Sequence, residues 1–385
     1  MGPASETELA DLIRGANGAL TVRGGGTRVP WRPQPGEVLE TAGLAGVRLY
    51  EPGALTLVAG AGTPVEEIAA VLAEKGQRLA FEPMEARGLM GTAGVSTIGG
   101  VMAANASGPR RVQVGAARDF LLGVRFVDGS GTVVKNGGRV MKNVTGYDLV
   151  KLMAGSFGTL GVLTEVSLKV MAVPQAEATL VARGLEAEAA LAALRAAMGT
   201  PFDVSGAAHL DCGGESRSCV RVEGLAGSVA YRAGRLRGGV CAGWELVEGE
   251  KSAALWREVR DVAPLAGTDE AVWKVSTVPA RAAELVRRVA AEGLAVRVIH
   301  DWAGGLSWLA VPAADDAGAA TVRGAVALAG GHATLVRAPA AVRAQVPMFQ
   351  PEAPGVARIA AGLRARFDPR GILNPGLMGA AEVVA

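Results

Sequence analysis

Long apolar runs are missing from this 385-residue chain, although half of its residues are hydrophobic. Alanine and glycine supply much of that half. The softest stretch, AATVRGAVALAGGHATLV, is broken by Arg323 and His332 and lacks the ~20 consecutive apolar residues that span a bilayer. The opening residues, MGPASETELADLIRG, are acidic and hold no signal-peptide core, so a cytoplasmic chain is expected. Charge of one sign is missing too. The formal net charge is +2 and aromatic residues make up 4%, which leaves neither a basic groove nor stacking platforms for a nucleic acid. Cysteine is scarce: Cys212, Cys219 and Cys241 are odd in number and lack CxxC spacing, which predicts buried free thiols rather than a disulfide framework. Histidine is equally rare. His209, His300 and His332 include no pair at metal-ligand spacing, and no metal site is expected.

What the chain has instead is glycine, concentrated in turns over the first ~170 residues, and enough length for two or three domains. A short helix over ETELADLIRGA precedes the strand ALTVR. The strand LTLVAGAG leads to Thr63-Pro64-Val65-Glu66, which reads as a capping box with proline at the first helical position. DFLLGVRFVDGSGTVVKNG reads as two strands joined at Asp128-Gly129. After Pro174 the texture changes. Helices over EAEAALAALRAAMG, PARAAELVRRVAAEG and DDAGAATVRGAVALAGG alternate with the strands AVWKVST, LAVRVIHDW, GLSWLAV and HATLVRA, so an antiparallel sheet covered by helices is expected. The helix GVARIAAGLRARF follows, then turns at Asp368-Pro369-Arg370-Gly371 and Asn374-Pro375-Gly376.

Four glycine-rich segments compete as anion sites. Gly60-Ala61-Gly62 precedes a helix, but Glu66 and Glu67 would repel a phosphate there, and a strand-to-helix turn is the better reading. The loop TVRGGGTRVP has the opposite electrostatics. Arg23 and Arg28 flank bare amides and the Thr27 hydroxyl, the makings of an anion nest, although a surface turn with two arginines looks the same. It is neither a Walker loop nor a Rossmann fingerprint, because no Gly-Lys-Ser/Thr and no helix follow. In GVSTIGGVMAANASG small residues would let a flat ligand lie against backbone, with Ser96, Thr97 and Asn105 as polar groups. GSFGTLGVLTEVSL passes spaced glycines into a strand. Together these segments suggest a groove for an elongated ligand with an anionic middle, such as a dinucleotide.

In order and spacing, VRGGGT, STIGGVMAANASG, VGAARDFLLGVRFVDGSG, KNVTGYDLVKLMAGSFGTLGVLTEVSLKV and FDPRGILNPG resemble the FAD-binding fold of the vanillyl-alcohol-oxidase (PCMH) type. The resemblance covers residues 19 to 173 and the C-terminal tail. Within that family, KNVTGYDLVKLMAGSFGTLGVLTEV and WAGGLSWLAV are most similar to the E-type, FAD-binding subunits of bacterial glycolate oxidase. The resemblance implies an α+β chain. Residues 1–173 would form a two-subdomain FAD-binding domain and 174–335 an antiparallel-sheet-plus-helices cap. Residues 336–385 would return to the FAD domain. It implies that Arg23, Gly24, Gly25, Gly26 and Thr27 cradle the FAD pyrophosphate. Ser96, Thr97, Ile98, Gly99, Gly100, Asn105 and Gly108 would line the flavin and its ribityl chain. Gly158, Thr159, Gly161 and Val162 would close the site, and Asn374 would return to it. Asp148 and Lys151, in the same block, read as helix-surface charge.

Oxidising a 2-hydroxy acid requires a carboxylate clamp, a base for the hydroxyl proton and an α-carbon held against the flavin. His300 beside Asp301 is a conceivable base, but neighbours on a strand point to opposite faces. His332 reads as a strand-entry residue. Arg337 and Arg343 are candidate clamps, although a solvated loop residue is the better reading of each. The histidine-rich motif of related D-2-hydroxy-acid flavoproteins is missing. Three functions stay open. The first is an FAD subunit of a glycolate oxidase that works with a homologous catalytic flavoprotein and an iron–sulfur subunit, and meets a membrane only through that complex. The second is a self-sufficient FAD-dependent 2-hydroxy-acid or alcohol oxidoreductase. The third is a scaffold with a vestigial flavin site, which intact RGGGT and TIGG segments oppose. With no histidine or cysteine before His209, the FAD is expected to be non-covalent.

Overall fold

Ser5 opens the first helix, Glu6–Gly15. Its hydroxyl accepts from the Glu8 amide (3.2 Å) and the Glu8 carboxylate accepts from the Ala4 amide (2.9 Å), which satisfies two of the donors that a helix start leaves open. Leu9, Ala10 and Ile13 form its buried face. They pack with Leu20, Leu39, Leu44, Val127, Val162, Ile372 and Leu373 in one core cluster. This is a computed structural model that describes residues 1–28, 36–140 and 146–379. Val29, Pro30 and residues 142–145 of the KNVTGYD motif lie outside the described residues.

The chain divides into two units. One comprises Met1–Ser107, Gly115–Val173 and Pro351–Ala385, the other Gly108–Val114 and Pro174–Gln350. The C-terminal return therefore starts at Pro351 rather than at 336. Residues 331–337 form the last strand of the second unit's sheet, and the Gln350 side-chain oxygen accepts from the Ala333 amide there (3.0 Å).

Among the described residues the first unit holds nine strands: β1 (Leu20–Arg23), β2 (Glu37–Glu40), β3 (Val47–Glu51), β4 (Thr56–Gly60), β5 (Gln77–Arg78), β6 (Leu121–Val127), β7 (Val133–Gly137), β8 (Val162–Lys169) and β9 (Met171–Ala172). β1 and β2 pair in parallel. A five-stranded antiparallel sheet runs β3-β4-β8-β6-β7. Two local readings change. The helix Val65–Ala73 has Pro64 at its N-cap and no side-chain cap. The Thr63 hydroxyl instead donates to the Gly60 carbonyl (2.7 Å) and accepts from the Gly46 amide (2.9 Å), fixing the turn before the helix. The β6–β7 connection is a loop of five residues, 128–132, because Asp128 Oδ1 gathers the Ser130 and Thr132 amides (2.9 Å each).

The second unit holds β10 (Ala176–Arg183), β11 (Val204–Asp211), β12 (Arg217–Gly224), β13 (Glu245–Glu248), β14 (Ala271–Thr277), β15 (Arg297–Asp301), β16 (Leu306–Val311) and β17 (Gly331–Arg337). They form one eight-stranded sheet in the order β13-β10-β12-β11-β15-β16-β14-β17, with every neighbouring pair antiparallel. The helices Ala187–Met198 and Ala226–Arg237 bury Leu191, Leu194, Val229 and Leu236 against it.

The tail closes the first unit through Asn374, which is 6% exposed and has a φ of 45°. Its Oδ1 accepts from the Val22 amide (2.8 Å) and its Nδ2 donates to the Phe157 carbonyl (2.8 Å). Asn374→Ala leaves both backbone groups without these partners. At roughly 1–3 kcal/mol for a buried unsatisfied group, we expect a stability loss of about 2–4 kcal/mol. A denaturant melt of the purified chain reads it, and a loss below about 1 kcal/mol would show that the tail turn holds without this side chain.

Candidate functional site

β1 ends at Arg23 and the glycine loop follows. Its carbonyls are taken up by the protein. The Arg23 carbonyl accepts from the Thr41 amide (2.9 Å) and the Gly25 carbonyl from the Val95 amide (2.9 Å). The Thr27 carbonyl accepts from the Thr92 hydroxyl (2.9 Å). A Cβ on Gly25 would run into the Val95 carbonyl, and one on Gly94 into the Gly25 carbonyl. Two backbones thus touch with no side chain between them. Gly26 has a φ of +72°, which favours glycine, and faces open space. Among the described residues, the amides of residues 24–27 donate to no loop or turn carbonyl, as an anion nest requires.

The two flanking arginines part company. Arg23 pairs with Glu40, each side chain nearly half exposed. Arg28 carries a buried Nη2 with no hydrogen-bond partner among the described residues. Burial lowers the Arg28 pKa, and Glu85 opposes that shift. An orphaned buried guanidinium nitrogen beside a run of amides fits an anionic ligand.

Residues 96–100 are fixed by the segment 61–65. The Ser96 carbonyl accepts from Val65 (2.8 Å), Ile98 donates to Thr63 (2.9 Å) and Gly99 donates to Ala61 (2.7 Å). A Cβ on Gly99 would stand 2.7 Å from the Ala61 Cβ, so only glycine permits this approach. Thr97 caps the helix Ile98–Ala103 and accepts from the Gly100 amide (3.4 Å). Asn105, at a φ of 47°, turns its Oδ1 to the Arg118 amide (3.0 Å) and shapes the chain after that helix. Gly158, at +72°, lies against Asn374, whose Nδ2 would be 3.0 Å from a Cβ there. The Thr159 hydroxyl donates to Ser156 (2.7 Å). A Cβ on Gly161 would meet the Phe126 ring at 2.6 Å, and buried Val162 starts β8. Contacts through Val95 and Asn374 therefore bring the loop, the 96–100 segment, the 157–162 turn and the tail together. Gly108 is not among them. It belongs to the second unit, where its carbonyl accepts from the Trp302 indole (3.2 Å).

In the second unit the sheet aligns Ser218, His209, His300 and Ser307 as successive cross-strand partners on β12, β11, β15 and β16. Each histidine Nδ1 shares a hydrogen bond with its serine, at 2.9 Å for His209 and 2.7 Å for His300. The rings stack at 6.2 Å. Both residues are 0% exposed, and both Nε2 atoms are buried with no hydrogen-bond partner among the described residues. Burial, with His209 adding to it, pushes His300 down to about 3. Burial also lowers His209, against the pull of Asp211. The pairing escapes a reading that misses β11 and β12; the signal was the Gly213-Gly214 turn between two strand-length runs, VSGAAHLD and RSCVRVEG. Asp301 turns away to accept from the Trp302 amide (2.7 Å).

The other candidates are held locally as well. Arg337 donates to the Glu270 carbonyl (3.0 Å) and the Thr268 hydroxyl (2.8 Å). Arg343 is half-buried on the helix Ala340–Gln345. His332 is exposed on β17, paired with Ser276. The cysteines are free. Burial raises Cys212 and Cys219 to about 12 and Cys241 to about 11, which leaves them as inert thiols. Among the described residues no cluster could hold a metal ion.

The histidine row carries a pH dependence. A histidine held below its ordinary pKa of ~6.5 is protonated more readily in the unfolded chain, so its stability contribution is present above that pKa and lost on acidification. Between pH 7.5 and 5, His300 is expected to cost about 2 kcal/mol, or about 4–8 °C in melting midpoint for a unit of this size. His300→Gln removes the titration. Its midpoint should fall less on acidification than the wild type's, and equal falls would show that the row does not titrate on unfolding.

Residues 1–137 match the FAD-binding domain family. Over 349 residues the chain is 34% identical to glycolate oxidase subunit GlcE of Escherichia coli (strain K12), covering 90% of this chain and 88% of that one. It is 41% identical over 88 residues to glycolate oxidase subunit GlcD of Bacillus subtilis (strain 168), 23% of this chain and 19% of that one. An alkyldihydroxyacetonephosphate synthase structure aligns with a TM-score of 0.69 at 16% identity, over 97% of this chain and 76% of that one, and shares the fold. The glycine loop, the backbone contact at Gly25 and the near full-length relative agree: the chain belongs to the FAD-binding oxidoreductase family that includes glycolate oxidase subunit GlcE.

Proposed function

We propose that this chain is the FAD-carrying subunit of a multi-subunit enzyme that oxidises glycolate, and D-lactate as a close analogue, to the 2-oxo acid. Its companions would be a homologous catalytic flavoprotein and an iron–sulfur subunit that passes electrons onward. The observation that carries this reading is the 34% identity with a glycolate oxidase subunit over 90% of the chain. The second unit supports it from the other side. Its two buried histidines share their Nδ1 atoms with serines, and Arg337 donates to the 268–270 loop, so these three residues do not stand free for a substrate. Among the described residues no helix is long and apolar enough to cross a membrane. A cytoplasmic chain that meets a membrane only through its complex agrees with that.

FAD, when bound, supplies the acceptor for the two electrons leaving the α-carbon. The chain's residues hold it without a covalent bond. Amides 24–27 and the Arg28 guanidinium would take the pyrophosphate, and Gly99 and Gly100, close-packed on the 61–65 segment, would let the ring system lie against backbone. Thr159 and Gly161 bound the site from the start of β8. Arg23 serves the loop's edge through Glu40.

Two measurements test this. Arg28→Ala removes a charge-assisted bond worth about 1.5–3 kcal/mol. Flavin-fluorescence titration of the apoprotein should show FAD affinity reduced by about ten- to a hundredfold. Arg23→Ala, at an exposed ion pair, should stay within about threefold. A larger loss in Arg23→Ala than in Arg28→Ala would reverse the two roles. In the second measurement, the FAD-loaded chain alone is mixed with glycolate or D-lactate without oxygen. Lacking general-base help worth typically 10²–10⁴-fold, it should bleach its flavin band negligibly until the companion subunits are added. Rapid bleaching by the chain alone would make it the self-sufficient enzyme.

A further inference from the structure

The helix Pro354–Phe367 buries none of its residues. Ala357, Ala360, Ala361, Arg364 and Phe367 form its half-buried side, and the Phe367 ring lies 6.1 Å from that of Phe126. The remaining, solvent-facing surface should be polar in a surface helix. Here the strip that flanks the half-buried side carries Val356, Ile359 and Leu363, spaced i, i+3 and i+7 and exposed to 54%, 65% and 36%.

Glycine accompanies the stripe at Gly355 and Gly362. A Cβ at either position would meet nothing within 4 Å, so among the described residues no packing calls for glycine there. Each costs the helix roughly 1 kcal/mol relative to alanine. Glycine beside an exposed apolar row leaves room for another backbone to come close. The charges around the row have one sign. Arg358, Arg364 and Arg366 form no ion pair among the described residues, and Glu352 is the only acidic residue between 346 and 367. A second copy of this chain would set arginine against arginine, which disfavours self-association.

We propose that the outward face of this helix docks the companion flavoprotein, which meets it with an apolar strip rimmed by carboxylates. The inference rests on the subunit reading above and names the surface that reading requires. Ile359, Arg358 and Arg366 are exposed, so substituting them leaves the core intact.

The test measures direct binding of the full-length, FAD-loaded chain to the purified companion, the GlcD-like flavoprotein, at low and physiological salt. Ile359→Asp should weaken binding by at least about tenfold, with FAD content and melting midpoint unchanged. Arg358→Glu with Arg366→Glu should weaken it comparably and flatten its salt dependence. Tyr231→Asp, at an exposed site on the helix Ala226–Arg237, should bind like the wild type. If the wild type binds and Ile359→Asp binds within twofold of it, the surface is wrong while the subunit reading stands. If the wild type does not bind the companion, both fall. A chain that is dimeric by itself, and monomeric as Ile359→Asp, would give the face to a second copy and overturn the inference.

Discussion

Two stretches of backbone can press together face-on at their α-carbons only where neither carries a Cβ there, and the glycine loop of the first unit is set by such a contact. Gly25 and Gly94 meet through the Gly25 carbonyl and the Val95 amide. With its carbonyls engaged inward, the loop keeps amides for a ligand. The loop's position is inherited from β1, and β1 is fixed at Val22 by a side chain from the far end of the sequence. Asn374 holds the 157–158 turn with its other end. The FAD-binding match at residues 1–137 therefore covers the loop but omits β8 and the tail that set where it stands. A chain cut at residue 173 would keep every glycine of the loop and lose the clamp on β1.

What could be read beforehand was what local chemistry decides. Glycine runs, the Asp-Pro-Arg-Gly turn and the amphipathic helices depend on neighbours a few residues away, and Gly371 does bond back to Asp368 at 3.0 Å. The Thr63 hydroxyl was misread because it had two competing partners. Its turn across to Gly46 outcompeted a cap that sequence spacing alone makes plausible. Arg23 and Arg28 look equivalent in TVRGGGTRVP. Only the pairing of β1 with β2, which puts Glu40 opposite Arg23, distinguishes them. β11 and β12 were hidden for another reason. A bulge between Val204 and Gly206 interrupts their alternation, and Gly206 is needed because a Cβ there would stand 2.7 Å from the Trp256 ring.

Gly108 shows how a motif can end in one unit and be anchored in the other. The segment 108–114 is held in the second unit by Arg110, which pairs with Glu223 at 2.5 Å, the two side chains 7% and 3% exposed. Arg221 joins the same carboxylate at 3.3 Å and stacks over Trp256 at 4.5 Å. Buried charges of this kind are tolerated only in company, and removing one partner leaves the others unpaired in a low dielectric. Arg111 adds a stack over Trp302 at 4.7 Å. The small-residue run therefore stops at Ser107, because the next residues answer to a different polar network.

The histidine row explains why histidine in this chain does not imply acid–base chemistry. A base must reach its proton and must hold a pKa near the working pH. His300 meets neither requirement, since it is fully buried and burial holds it at about 3. Its hydrogen bond goes to the serine opposite, as a polar residue in the middle of a sheet requires. The same packing that makes the eight-stranded sheet continuous removes His209 and His300 from solvent. A sheet so occupied uses His209 and His300 as packing and hydrogen-bonding residues rather than as proton carriers.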